Sequence, residues 1–87
     1  MLRGIVKSAY VLPAQGAYVA VELLSGPASA GVSVDLPLRS GVSRRYEVAG
    51  VELLHHEAGR AEVALRIPGL DPAEVLVGGV VRELSDA

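Results

Sequence analysis

Residues 46 to 79 read YEVAGVELLHHEAGRAEVALRIPGLDPAEVLVGG, and the fold turns on how this stretch divides. Within it, RAEVALRI at 60–67 sets Ala61, Val63, Leu65 and Ile67 on one side and Arg60, Glu62, Ala64 and Arg66 on the other. A period of two is that of a half-buried strand, whereas a helix would scatter these residues around its axis. Pro68 and Gly69 stop the strand. Asp71-Pro72-Ala73-Glu74 then has the order of a helix start: a capping residue, a proline at the first helical position and a carboxylate three residues after the cap. Gly78 and Gly79 follow so closely that only a short helical corner fits, near residues 71–77.

Working outward, a strand starts near Ser43 and runs through Gly50, a glycine inside a strand pattern that signals a bulge or a sharp bend. Beyond the bend, Val51, Leu53 and His55 alternate with Glu52, Leu54 and His56. Upstream, Val32, Val34, Leu36 and Leu38 alternate with Ser33, Asp35, Pro37 and Arg39, and Ser40-Gly41 marks the turn that follows. Pro37 has no N–H for a ladder and belongs at a strand end or with its nitrogen facing away from a neighbour. AYVAVELL at 17–24 buries Val19, Val21 and Leu23 and leaves Tyr18, Ala20, Glu22 and Leu24 outside. LRGIVKSAYVL at 2–12 is also a strand, but Ile5, Lys7, Ala9 and Val11 and the alternate set Val6, Ser8, Tyr10 and Leu12 are equally mixed, so its faces are ambiguous. Val80, Val81 and Leu84 supply the last strand, and residues 85–87 form a short polar tail.

Six short, regularly spaced strands and one helical corner predict an all-β domain over residues 1–87. A small closed six-stranded β-barrel is the expectation, because closure removes exposed edges; a two-sheet sandwich is the alternative. The chain has 87 residues, 51% of them apolar, with no Phe or Trp. An aliphatic core of that size supports folding when a sheet closes on itself. Eight basic residues stand against ten acidic ones, a balance unlike that of a general polyanion binder. There is no cysteine, which excludes disulfides, thiolate zinc sites and cysteine nucleophiles. Arg3, Lys7 and Ser8 interrupt the apolar residues of the N-terminal stretch, and no apolar run is long enough to span a membrane, so a cytoplasmic protein is expected.

Read in order, Gly16-Ala17-Tyr18-Val19-Ala20-Val21, Ser25-Gly26 with Gly31, Val48-Ala49-Gly50-Val51-Glu52-Leu53, and Gly69-Leu70 with Glu74-Val75 and Gly78 before Val80-Val81 resemble the second domain of translational GTPases. Elongation factor Tu is the nearest pattern, and the resemblance covers roughly residues 4 to 84. It implies a β-barrel that contacts RNA or a translation-related protein; in elongation factor Tu this domain helps hold the aminoacylated end of transfer RNA. The glutamate of the family's G-V-E motif lies at that site, and Glu52 holds the matching position. The chain departs from the whole family in lacking G-x-x-x-x-G-K-[ST], and its only lysine is Lys7, so by itself it binds no GTP.

Four further features carry chemistry. Arg39, Arg44 and Arg45 lie close along one turn, beside Tyr46, and form a small basic patch suited to phosphates, although Glu47 neutralises part of it. Leu24 and Leu54 fall on outer faces and would suit contact with another chain, RNA-independent or homo-oligomeric. His55, His56 and Glu57 have the donor types for zinc or nickel, yet adjacent strand residues point apart and such a group at a hairpin end is far more often solvated, so no metal site is expected. Ser8, Ser25, Ser29, Ser33, Ser40, Ser43 and Ser85 have no placed base, so no enzyme activity and no cofactor are expected. The expected function is therefore a binding module using Glu52, Leu54, Arg44, Arg45 and Tyr46; the alternative is a structural or homo-oligomerising β-barrel subunit with no nucleic-acid role.

Overall fold

The computed structural model describes residues 1–85 and is all-β. The strands are β1 (Arg3–Leu12), β2 (Gly16–Ser25), β3 (Ser33–Pro37), β4 (Ser43–Glu47), β5 (Gly50–Glu57), β6 (Arg60–Arg66) and β7 (Val80–Leu84). All are antiparallel neighbours in one sheet of order β4-β3-β7-β1-β2-β6-β5. The sequence leads one to expect six strands; there are seven, because the expected fourth strand breaks at Val48 and Ala49, immediately before Gly50. The two-sheet alternative is not what forms.

The break has a structural purpose. Val48 N–H donates to Val32 O at 2.9 Å, toward β3, whereas Ala49 N–H donates to Arg66 O at 2.8 Å, toward β6. One continuous segment thus changes partner from one edge of the sheet to the other. A flat sheet of seven strands would hold its outer strands about 29 Å apart at roughly 4.8 Å per spacing. Two linking residues span only about 10 Å, so the sheet is strongly coiled. No backbone ladder joins β4 to β5 among the described residues, and the sheet is not closed by pairing.

Coiling encloses the core. Leu2, Val6, Val19, Val21, Val34, Leu36, Val48, Val63, Leu65, Ile67, Leu70, Val75 and Val81 belong to one buried cluster, against which Leu23 and Val32 pack partly buried; of the expected sets, Leu38 and Ala61 stay outside it. Pro37 ends β3, where its missing N–H costs no ladder bond. The helical corner is a single 3-10 turn, Pro72–Glu74, shorter than the stretch 71–77: Asp71 caps it by accepting from Ala73 N–H at 3.0 Å. Backbone bonds from Arg39 N to Glu74 O (2.7 Å) and from Leu76 N to Pro37 O (3.1 Å) hold that corner against the end of β3. At the other end, Leu2 N–H donates to the Glu83 carboxylate at 3.0 Å, and Glu83 N–H to Leu2 O at 2.8 Å. Of the polar tail, Ser85 lies beyond β7, and residues 86 and 87 are outside the described residues. No helix among the described residues is long and apolar enough to cross a membrane.

Candidate functional site

Two bulges decide which side chains share the outer face. In β1 the register with β2 slips between Val6 and Ser8, leaving Lys7 unpaired. Val6 therefore points inward with Val21, and Ala9 inward with Val19, although they are three residues apart. The slip places Ser8 and Tyr10 together outside and resolves the mixed pattern of residues 2–12. In β5 the register with β6 slips between Leu53 and His55, leaving Leu54 as the extra residue.

Directly opposed residues of an antiparallel pair share a face. One outer row therefore runs Tyr10, Tyr18, Arg66, Gly50 across β1, β2, β6 and β5, and the adjacent row runs Ser8, Ala20, Ala64, Glu52. The rings of Tyr10 and Tyr18 stack with centroids 5.8 Å apart and planes 9° apart. Tyr18 O–H donates to Gln15 Oε1 at 2.9 Å, which satisfies the hydroxyl of a buried ring. Tyr18, Ala20 and Ala64 are buried without belonging to the inner core, so a second small packed layer lies on the outer face. Sequence alternation places Tyr18 and Ala20 on this face correctly, but not their burial.

Arg66 and Gly50 form the end of this shelf. The Arg66 guanidinium donates to Ala49 O at 3.4 Å, and a Cβ on Gly50 would sit 3.3 Å from Arg66 Nε. A methyl group at position 50 would require the guanidinium to give by a few tenths of an ångström. The two alanines between Tyr10 and Glu52 carry only methyl groups, and the carboxylate acts on the tyrosine across them. Burial first, then the Glu52 carboxylate and then Tyr18, raises the Tyr10 hydroxyl above the ordinary tyrosine range. Burial and negative charge both disfavour the phenolate.

The residues anticipated from sequence separate into three places. Glu52 lies on this shelf. Arg44 and Arg45 sit opposite Leu36 and Asp35, so their side chains leave opposite faces of β4 and form no single patch. Arg44 instead lines a shallow cavity of about 390 Å³ with Arg39, Ser40 and Glu74. Tyr46 is opposite Val34 and packs half-buried against the core. Leu54 is 48% exposed and Leu24 50%, as expected of outer contacts, and Leu53, opposite the buried Val63, is also exposed at 67%.

The bulge also exchanges the faces of the two histidines. His55 comes opposite Glu62, on the side of Glu52, and His56 opposite Ala61. His55 Nε2 meets Glu57 Oε2 at 3.0 Å, in an open cleft that also has Lys7, Glu22, Arg60 and Glu62 in its walls. His56 points away from it, and among the described residues no three His, Cys, Asp or Glu side chains converge in a metal-binding arrangement. The signal that was missed is Tyr10, Tyr18 and Arg66 acting with Glu52. Its trace in the sequence is the double alternation of residues 2–12, a bulge seen without its partner strand. No protein-family model and no curated protein matches the chain.

Proposed function

We propose that this chain is a binding module, related in design to the second domain of translational GTPases, whose outer shelf takes the exposed end of an RNA strand. The single observation that carries the reading is the stacked pair Tyr10–Tyr18 sharing one face with Glu52 and electrostatically coupled to it. A flat base finds a stacking surface on the part-exposed ring of Tyr10, backed by the buried Tyr18 and worth about 1–3 kcal/mol per base. A carboxylate beside it accepts from an exocyclic amine or a ribose hydroxyl. Arg66 supplies a cation at the end of the shelf. The chain binds and does not catalyse. In this reading β4 and β5 are two halves of one bent strand, and the coiled sheet is a six-stave barrel.

The measurement that tests it is titration with transfer RNA, deacylated and aminoacylated, followed by tyrosine fluorescence; the chain has three tyrosines and no tryptophan to obscure them. Tyr10→Ala and Glu52→Gln weaken binding if the shelf is the site. Arg44→Ala and Arg45→Ala leave it nearly unchanged. Binding that disappears with the arginines and survives loss of Tyr10 overturns the assignment.

A further inference from the structure

The sheet has two edge strands, and they differ in what they offer a partner. β4 exposes Arg44 and Arg45. An antiparallel copy of β4 centred on them brings like charges together, a common defence of an edge. β5 is longer, is exposed from Glu52 to Glu57, and presents two adjacent leucines. From its sequence and bulge we propose that a second copy of this chain adds to β5 edge to edge, antiparallel, about a twofold axis between Leu53 and Leu54.

The bulge is what selects this register. Antiparallel neighbours must present the same face, and in a regular strand residues of one face are an even number apart. Around an axis between Leu53 and Leu54, every facing pair is an odd number apart. The extra residue at Leu54 supplies the missing step: Glu52 and His55 both lie outside, opposite Ala64 and Glu62, while Val51 and His56 both lie inside, opposite Leu65 and Ala61. In the pair, Glu52 of each copy then faces His55 of the other, and Val51 faces His56. Leu53 faces Leu54 twice, and both bulges meet at the axis. Four exposed leucine side chains leave water together, and two opposite-charge pairs form when His55 is protonated. No two like charges face each other directly in this register. Glu57 falls opposite Gly50, which leaves its 3.0 Å contact with His55 in place.

This inference meets the RNA reading only at Glu52 on β5, since the stack of Tyr10 on Tyr18 lies three and two strands inward from the edge. Sedimentation equilibrium from micromolar to millimolar protein should show a monomer–dimer equilibrium. Leu54→Arg should weaken it by on the order of tenfold or more, with an unchanged circular dichroism spectrum because the side chain is already exposed. The register is read by cross-linking, which the absence of native cysteine makes clean. Val51→Cys mixed with His56→Cys should give the mixed disulfide. Neither variant should link to itself, because like positions would lie five residues along the strand, about 17 Å apart, against the less than about 7 Å a disulfide needs. A chain that stays monomeric at millimolar concentration overturns the proposal, and so does self-linking of either variant in preference to the mixed product.

Discussion

Tyr10 and Tyr18 face each other across β1 and β2 with ring centroids 5.8 Å apart, eight residues distant in sequence and in register only because Lys7 is bulged out between Val6 and Ser8. Remove the bulge and Tyr10 would turn toward the core. A single unpaired lysine thus creates the aromatic shelf.

The first prediction concerns this pair at high pH. Tyr10 is raised above its unfolded value, so the folded state keeps the phenolic proton longer than the unfolded state does. Its contribution to stability is complete below about pH 10 and is lost as pH rises through the folded value. Glu52→Gln removes a negative charge from the neighbourhood and lowers the Tyr10 value; tyrosinate absorbance followed against pH reads the shift directly. An unchanged titration would show that the carboxylate does not act on this ring.

The second concerns glycines in contact with backbone. A Cβ on Gly4 would meet Glu22 O at 2.7 Å and a Val21 methyl closer still, where β1 lies against β2. Gly26 adds a left-handed φ of +72° to a clash with the backbone of Met1 and Leu2. Alanine at either site should cost on the order of 2 kcal/mol or more, with Gly26→Ala the worse because neither strain nor clash can relax alone. Chemical denaturation checks the order.

The hairpin joining β5 to β6 turns through Ala58 at φ +44° and Gly59 at φ +83°, between the paired residues Glu57 and Arg60. Two positive φ angles in a two-residue loop suit Asn-Gly far better than Ala-Gly. Ala58→Asn should therefore raise stability by about 0.5–1 kcal/mol, several degrees in thermal midpoint for a domain of this size. A lower midpoint would contradict the turn geometry.

Leu65 and Leu36 are fully buried in the shared core. Truncating either to alanine should cost about 2–5 kcal/mol, a large part of the total stability of a domain this small. Leu54→Ala, at an exposed edge, should cost far less, and equal losses at both sites would contradict the exposure of β5.

Much of this architecture was legible in residues alone. Val63, Leu65 and Ile67, Val34 and Leu36, and Val19 and Val21 alternate cleanly because their strands are regular, and they do form the core. Asp71 and Pro72 announce the 3-10 turn by capping chemistry that is local in sequence. What could not be read was set by partners distant in the chain. The bulges at Lys7 and Leu54 exist only relative to β2 and β6, and each inverts every face after it, which is why Tyr10 looked inward as readily as outward and why His55 and His56 changed sides. Residues 43–57 read as one strand because the chain is continuous; its division at Val48 and Ala49 follows from a change of neighbour that local pattern does not record. Arg44 and Arg45 looked like a patch by adjacency, the very property that sends neighbouring strand residues to opposite faces.

The central claim is that the outer shelf of Tyr10, Tyr18 and Glu52 receives an RNA end, and titration of transfer RNA into the wild-type chain and the Tyr10→Ala variant tests it most directly. The account predicts saturable quenching of tyrosine fluorescence in the wild type, and at least about tenfold weaker binding by an independent polarisation assay when Tyr10 is lost. Equal affinity of the two proteins, or no binding by the wild type at low salt, would contradict it.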